Sequence, residues 1–198
     1  GDHIRPQMSA CVFEDNSPMV RQYDLDLMVD LVAAQMQWES DRFDLGGRRI
    51  EQHFREFNWF LSQLDYNHKS MLVIGSKSGG VEMRVRQICP WVRKIVSCDL
   101  VSHENTLADA LIVGDSHSHE VQNLIRQHGP FDVVFIDGDH SEAGCRLDWE
   151  FAKTLNPRDV FFHDILKSTF HERCGSFVDR VWSQIKAELY NCSEKVVG

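Results

Sequence analysis

Two carboxylates and an imidazole, Asp137, Asp139 and His140, follow directly on four apolar residues, Val133 to Ile136. An apolar run without alternation marks a strand buried on both faces. In an open α/β sheet the carboxyl ends of the strands form the ligand crevice, so acids and an imidazole placed there are positioned for chemistry. The competing reading is structural, since aspartates at a strand end also turn the chain and cap the next helix. A second group with chemical potential is the turn Gly75-Ser76-Lys77-Ser78-Gly79-Gly80, which lies between an apolar run and a helical stretch. Glycines there bring the backbone close to a ligand and leave free amides at a helix N-terminus. The turn is not a Walker loop, because Lys77 precedes the final glycines instead of following them. The next apolar run ends in Asp99, near the roughly 20-residue offset at which a carboxylate meets a ribose diol in dinucleotide folds. The alternative for Asp99 is a solvent-facing loop acid.

The elements that must position these groups alternate from Ser70 onward. Strands are expected over Met71 to Ile74, Lys94 to Cys98, Ala110 to Val113, Asp132 to Ile136 and Asp159 to Phe162. Helices are expected near Gly80 to Cys89, His103 to Asp109, His117 to His128 and Glu142 to Leu155, and a last helix, Gly175 to Tyr190, leads to a short strand over Lys195 to Val197. This alternation predicts a doubly wound, mainly parallel α/β sheet with crossover helices on both faces. The strand order should reverse between the first and fourth of these strands. Upstream, roughly the first twenty residues carry two prolines and little periodicity, and read as an arm. Leu27, Leu31, Ala34 and Trp38 then recur at helical spacing from Tyr23. After Gly46-Gly47, a second amphipathic segment, Arg48 to Leu64, puts Ile50, Phe54, Phe57, Leu61 and Leu64 on one face. That stripe, with Trp59 and Phe60 beside it, reads as core or as a lid over the crevice. Residues 1–69 are thus expected to form an arm and N-terminal helices of the same domain, and residues 70–198 its ligand-binding core.

A formal charge of −9 over 198 residues argues against nucleic acid or an anionic membrane as the main partner, since clustered Lys and Arg drive those contacts. A small-molecule substrate fits better. The six cysteines (Cys11, Cys89, Cys98, Cys145, Cys174 and Cys192) form no CxxC pair and read as reduced thiols. With no signal peptide or long apolar run, the expectation is a cytoplasmic protein that does not span a membrane. The apolar helices before Ser70 offer a homodimer surface.

The order IGSKSGG, SCDL, VGDSHS, FDVVFIDGDHS and FFHDI resembles the class I S-adenosylmethionine-dependent methyltransferases. The likeness is to the small-molecule and sugar O-methyltransferase group related to macrocin O-methyltransferase and cephalosporin hydroxylase. It covers about Ser70 to Tyr190, and DGDHS followed by HD after the next strand is its most specific part. It implies a Rossmann-like methyltransferase fold, S-adenosylmethionine as cofactor and a divalent metal, magnesium or a transition metal. It also implies that Gly75, Ser76, Lys77 and Gly79 hold the methionine end of the cofactor, Asp99 its ribose, and Asp115 and Ser116 its adenine side. Asp137 with His163 and Asp164 matches the metal-binding positions, and His140 the general base. The antiparallel hairpin usual at the sheet edge of such enzymes is expected to be incomplete, because the sequence stops soon after Val197. Three positions depart from the pattern. Val73 stands where many relatives carry an acid, Lys77 replaces the middle glycine of the loop, and His163 replaces a carboxylate of the metal pair. Magnesium prefers oxygen ligands, whereas an imidazole suits zinc, iron and other transition metals.

Methyl transfer from a sulfonium is an in-line displacement, helped mainly by holding nucleophile and methyl in near-attack geometry. A hydroxyl nucleophile must also lose its proton. His140 in the crevice loop is placed to take it, and a cation held by Asp137 and Asp164 would favour the alkoxide. His117 and His119 sit at the start of a helix and read as exposed. Two other classes stay open: a nicotinamide-dependent oxidoreductase, which the glycine turn and Asp99 would also serve, and a non-catalytic member of the fold that binds a nucleotide or a partner. Against the first, the loop is not GxGxxG, and the DGDH and HD residues have no place in simple hydride transfer.

Overall fold

A computed structural model describes residues 7–12, 54–103, 106–165, 167, 169–189 and 191–196. The elements are β1 (Gln7–Val12), α1 (Phe54–Gln63), β2 (Ser70–Ile74), α2 (Gly80–Ile88), β3 (Lys94–Asp99), β4 (Ala110–Val113) and α3 (His119–Gln127). They continue with β5 (Val133–Ile136), α4 (Glu142–Thr154), β6 (Asp159–Phe162), α5 (Thr169–Cys174), α6 (Val178–Glu188) and β7 (Cys192–Val196). Among the described residues the strands form one sheet of order β4-β3-β2-β5-β6-β1-β7, and every neighbouring pair is parallel.

Parallel neighbours require crossovers, and the crossover helices leave the inner strands no wet face. Successive residues of β2 and β5 therefore go to opposite layers. Leu72, Ile74, Val134 and Ile136 pack beneath α3, α4 and α6, while Met71, Val73, Val133 and Phe135 pack against α1 and α2. Phe57, Phe60 and Leu61 of α1 and Leu64 just after it are buried, and Phe60 stacks between Phe135 and Phe161 with ring centroids 4.8 Å from each. The described part of the aromatic stripe is core, as its spacing suggests. The helix expected from Tyr23, and residues 48–53 of the second helix, lie outside the described residues. No helix among the described residues is long and apolar enough to cross a membrane.

Three expectations change. Gln7–Val12, read as an arm, is a strand inserted between β6 and β7, with Gln7 opposite Asp159 and Met8 opposite Cys192. QMSACV has one β-branched residue and no period of two, so propensity does not mark it and tertiary pairing decides. It also closes this side of the sheet with parallel strands, where an incomplete antiparallel hairpin was expected. The stretch His103 to Asp109 is irregular in its described part. The Thr106 hydroxyl accepts from the Ala108 N–H at 3.1 Å, a local bond that competes with a helix. The helix expected over Gly175 to Tyr190 is α6, and a short helix that was not expected, α5, precedes it and is ended by Gly175 with a left-handed φ of 75°. The Ser176 N–H reaches the His171 carbonyl at 2.8 Å and the Gly175 N–H that of Glu172 at 3.2 Å, the bond pair of a Schellman stop.

The order reverses at β2, which has β3 on one side and β5 on the other, so a crevice opens above the carboxyl ends of β2 and β5. Gly75 lies at its base with φ 86°, and a Cβ there would fall 2.1 Å from the Asp137 carbonyl oxygen and 2.7 Å from the Gly138 Cα. Gly175 has a similar φ, yet a Cβ on it would meet nothing within 4 Å. Left-handed backbone costs an L residue about 1–2 kcal/mol, and forcing atoms into filled space adds about 1–3 kcal/mol. Gly175→Ala should therefore lose about 1–2 kcal/mol in urea unfolding and Gly75→Ala about 3 kcal/mol or more. Equal losses would mean that the strand ends part freely at this point.

Candidate active site

The crevice holds a cavity of about 630 Å³. Gly75, Lys77, Asp99, Asp115 and Ser116, five of the seven residues expected to contact a cofactor, line it together with Asp137 and His140. The turn is held open by its own hydrogen bonds. Lys77 occupies the left-handed region at φ 46°, where a glycine would be at ease, and its N–H donates to Asp99 Oδ2 at 2.6 Å. Asp99 Oδ1 accepts from the Val101 N–H at 3.1 Å, so each carboxylate oxygen keeps one further acceptor position. Ser76 and Gly79 do not line the cavity. The Ser76 side chain turns inward to Glu82 Oε1 and to His103 Nε2, the latter at 3.0 Å, and Gly79 is the N-cap of α2. Glu82 is fully buried, and its Oε1 also accepts from Ser97 at 2.5 Å. Cys98 faces the cavity, but burial pushes its thiol up to about 12, so it stays protonated at neutral pH.

At the far end, Ser116 Oγ donates to Asp148 Oδ1 at 2.7 Å, and His117 Nε2 stands 3.2 Å from the same oxygen. His117 was expected to be exposed. Its side chain is 19% exposed and packs against the buried Asp148, a carboxylate on α4 that the sequence did not single out. His119 is exposed as expected. The two aspartates that follow β5 divide the roles open to them. Asp139 Oδ1 accepts from the Ser141 N–H at 2.8 Å in the turn before α4, whose N-cap is Ser141, whereas Asp137 points to the cluster described next.

Ile136 and Phe162 are register partners, so the residues just beyond them, Asp137 and His163, emerge side by side. His163 Nδ1 lies 3.2 Å from both Asp137 Oδ1 and Asp164 Oδ1, and His140 Nε2 lies 3.0 Å from Asp137 Oδ1. One ligand atom from each of Asp137, His140, His163 and Asp164 falls within 4.8 Å of the other three. Asp164 adopts φ 57°, and the His140 loop is pinned by the Phe177 N–H on the His140 carbonyl at 2.8 Å. Burial opposes charge on Asp137, yet His163 and His140 outweigh it and hold the carboxyl well below the ordinary carboxylate range. Asp164 is likewise lowered against burial, chiefly by His163. His140 is raised by its bond to Asp137, and His163 is raised well above the ordinary imidazole value, against burial, by Asp137, Asp164 and Glu56. The arrangement is built to hold positive charge. The imidazoles carry it as imidazolium, or a bound cation carries it after displacing their protons.

Two residues beside this cluster escaped the sequence reading. Glu56 Oε2, on α1, lies 3.5 Å from His163 Nε2, and His171 Nε2, on α5, lies 3.7 Å from Asp164 Oδ1. Glu56 left a signal: it is four residues before Phe60, an acid on the apolar face of its helix. His171 left none, because α5 was not anticipated.

No family model matches the chain, and no curated protein matches it significantly. Solved structures of MycE methyltransferase from the mycinamycin biosynthetic pathway do align with it. The first crystal form in complex with Mg and SAH gives a TM-score of 0.51 at 19% identity, covering 78% of this chain and 48% of that one. The complex with Mg, SAH and mycinamycin VI gives 0.51 at 20% over the same shares, and the second crystal form with Mg and SAH gives 0.50 at 18% over 78% and 44%. The chain has the Rossmann-like methyltransferase fold. It spans about half the length of the MycE chains. Within this methyltransferase fold the cavity lies at the switch point between β2 and β5, and the His/Asp cluster at the next pair of strand ends.

Asp148 supplies a pH test of this site. Burial raises its pKa, and the Ser116 bond and His117 offset this only in part. The unfolded chain therefore gives up this proton first, near the ordinary value of about 3.9. From there upward the carboxyl costs stability progressively until the folded pKa is passed. Asp148→Asn has no such proton, so urea unfolding of the two proteins between pH 4 and 8 should show the variant gaining on wild type as pH rises. A constant or opposite difference would mean that Ser116 and His117 fully stabilise the carboxylate.

Proposed function

We propose that the chain is an S-adenosylmethionine-dependent methyltransferase acting on a hydroxyl of a small molecule with the help of a divalent cation. The observation that carries this reading is continuity: the cavity that begins at Gly75 and Asp99 ends at Asp137 and His140, and those two residues also belong to the His/Asp cluster. The MycE structures hold SAH and Mg, and one holds mycinamycin VI, in keeping with a small-molecule acceptor. A nicotinamide oxidoreductase would use the same turn and Asp99 but would leave the cluster without a task.

The residues fit such ligands on their own chemistry. The acceptor positions left on Asp99 match the two donors of a ribose diol. Asp115 and Ser116 stand at the adenine end, with Gly75 and Lys77 at the methionine end. The sulfonium of the bound cofactor supplies an electrophilic methyl group. His140 is the more exposed imidazole of the cluster, at 31% against 11% for His163, and it alone of the two lines the cavity. Asp137 holds its Nε2 at 3.0 Å, and Nδ1, 3.5 Å from Asp164 Oδ2, is the nitrogen that takes the proton of the acceptor hydroxyl. Asp137, His163 and Asp164 would hold the cation, whose charge favours the alkoxide.

Calorimetry with S-adenosylmethionine, S-adenosylhomocysteine and NAD tests the cofactor. The first two should bind, and Asp99→Ala should weaken them by about 1.5–3 kcal/mol, roughly tenfold or more. Binding of NAD in their place would overturn the reading. On a panel of sugar and phenolic acceptors, His140→Ala should lower turnover by about 10²- to 10⁴-fold with cofactor affinity near wild type. Full activity in that variant would exclude His140 as the base.

A further inference from the structure

We infer that the centre made by Asp137, His163 and Asp164 selects a borderline divalent transition metal over magnesium, and that Glu56 is the positioning residue that presents His163 to it. The inference deepens the cation reading above and rests on it. Ligand atoms around a cation at about 2.1 Å are separated by about 3.0 Å in an octahedron and about 3.4 Å in a tetrahedron. His163 Nδ1 stands 3.2 Å from Asp137 Oδ1 and 3.2 Å from Asp164 Oδ1, inside that interval. Both distances from His163 Nδ1 are those of edges of one coordination polyhedron.

The donor set decides which ion fits. Magnesium keeps near-ideal octahedral oxygen coordination and gives up water reluctantly, whereas an imidazole nitrogen beside two carboxylates suits zinc, cobalt and iron. The surroundings commit His163 to one ligating atom. Its Nε2 faces Glu56 Oε2 at 3.5 Å, and the Glu56 side chain is 8% exposed, so the carboxylate sits in a nearly closed space behind the ring. A carboxylate behind a histidine fixes the ring tautomer with the proton on Nε2 and leaves Nδ1 as the donor, the arrangement common to histidine ligands in metal sites. Here that donor faces Asp137 and Asp164. Glu56 comes from α1, whose Phe57 and Phe60 anchor it in the core, so the carboxylate is held by packing and not by a mobile loop. Asp164 reaches the same point only through a left-handed backbone, a conformation that clusters at ligand clamps.

The test is metal binding by the chelator-stripped full chain, followed by calorimetry with Zn(II), Co(II), Mn(II) and Mg(II) and by the visible absorption of Co(II). Zinc and cobalt should bind at least 100-fold more tightly than magnesium, with a Co(II) band in the visible. Glu56→Gln should weaken zinc and cobalt binding about 10- to 100-fold and shift the Co(II) band, with unfolding of the stripped protein near wild type. His163→Glu should erase the preference for transition ions over magnesium. Magnesium binding as tightly as zinc, or no metal bound at all, would overturn the inference, as would an unchanged Co(II) affinity and spectrum in Glu56→Gln. Calorimetry with S-adenosylhomocysteine on the same samples separates the two readings. Nucleoside binding without metal selectivity sinks this inference alone, and metal selectivity without nucleoside binding sinks the methyltransferase reading alone.

Discussion

The contact between the Gly75 backbone and the Asp137 carbonyl sets the geometry that the rest of the site inherits. With no side chain at Gly75, the ends of β2 and β5 stay at sheet spacing past their last ladder bonds, and the glycine turn lies against the wall that carries Asp137. Asp137 is then fixed twice. Its backbone closes the base of the cavity, and its carboxylate meets two imidazoles from separate segments. A loop that merely turned the chain would need neither constraint. Because the same residue serves both, the cavity and the charged cluster are parts of one construction.

Much of this was legible in the residues. The run from Val133 to Ile136 places a central strand, and of the groups after it Asp137 and His140, but not Asp139, gather with His163 and Asp164. Glycines at the turn and Asp99 at the end of β3 do meet, through the bond from the Lys77 N–H to Asp99. What could not be read depends on distant contacts. β1 has no pattern of its own, because its place is decided by β6 and β7. Glu56 and Asp148 are acids held among apolar neighbours by helices that belong to the core. His117 looked exposed because a helix start usually is, and only the packing of α4 brings Asp148 beneath it.

The departures from the resembling family are partly offset nearby. Val73 cannot supply a carboxylate at the glycine turn, but Glu82 brings one from α2 and takes hydrogen bonds from Ser76 and Ser97. Lys77 bears a conformation suited to glycine, and the bond to Asp99 helps hold it there. The cost falls on flexibility: Ser76, which a looser turn could offer to a ligand, is already engaged with Glu82 and His103.

The position of β1 bears on how the chain reaches this state. It is translated before every strand it pairs with, yet both of its partners, β6 and β7, come from the far end of the sequence. Its contacts have the longest sequence separation in the fold, and chain closure of that length is slow. During synthesis this segment must wait unpaired while the β2–β5 region assembles behind it. β6 meanwhile presents an open edge, and among the described residues β7 pairs with no strand but β1. The late steps of folding are then the docking of this weakly patterned strand on the open edge of β6 and of β7 on β1. Until they happen, the molecule carries an unsatisfied sheet edge, the kind of surface that chaperones bind and that pairs between copies of a chain.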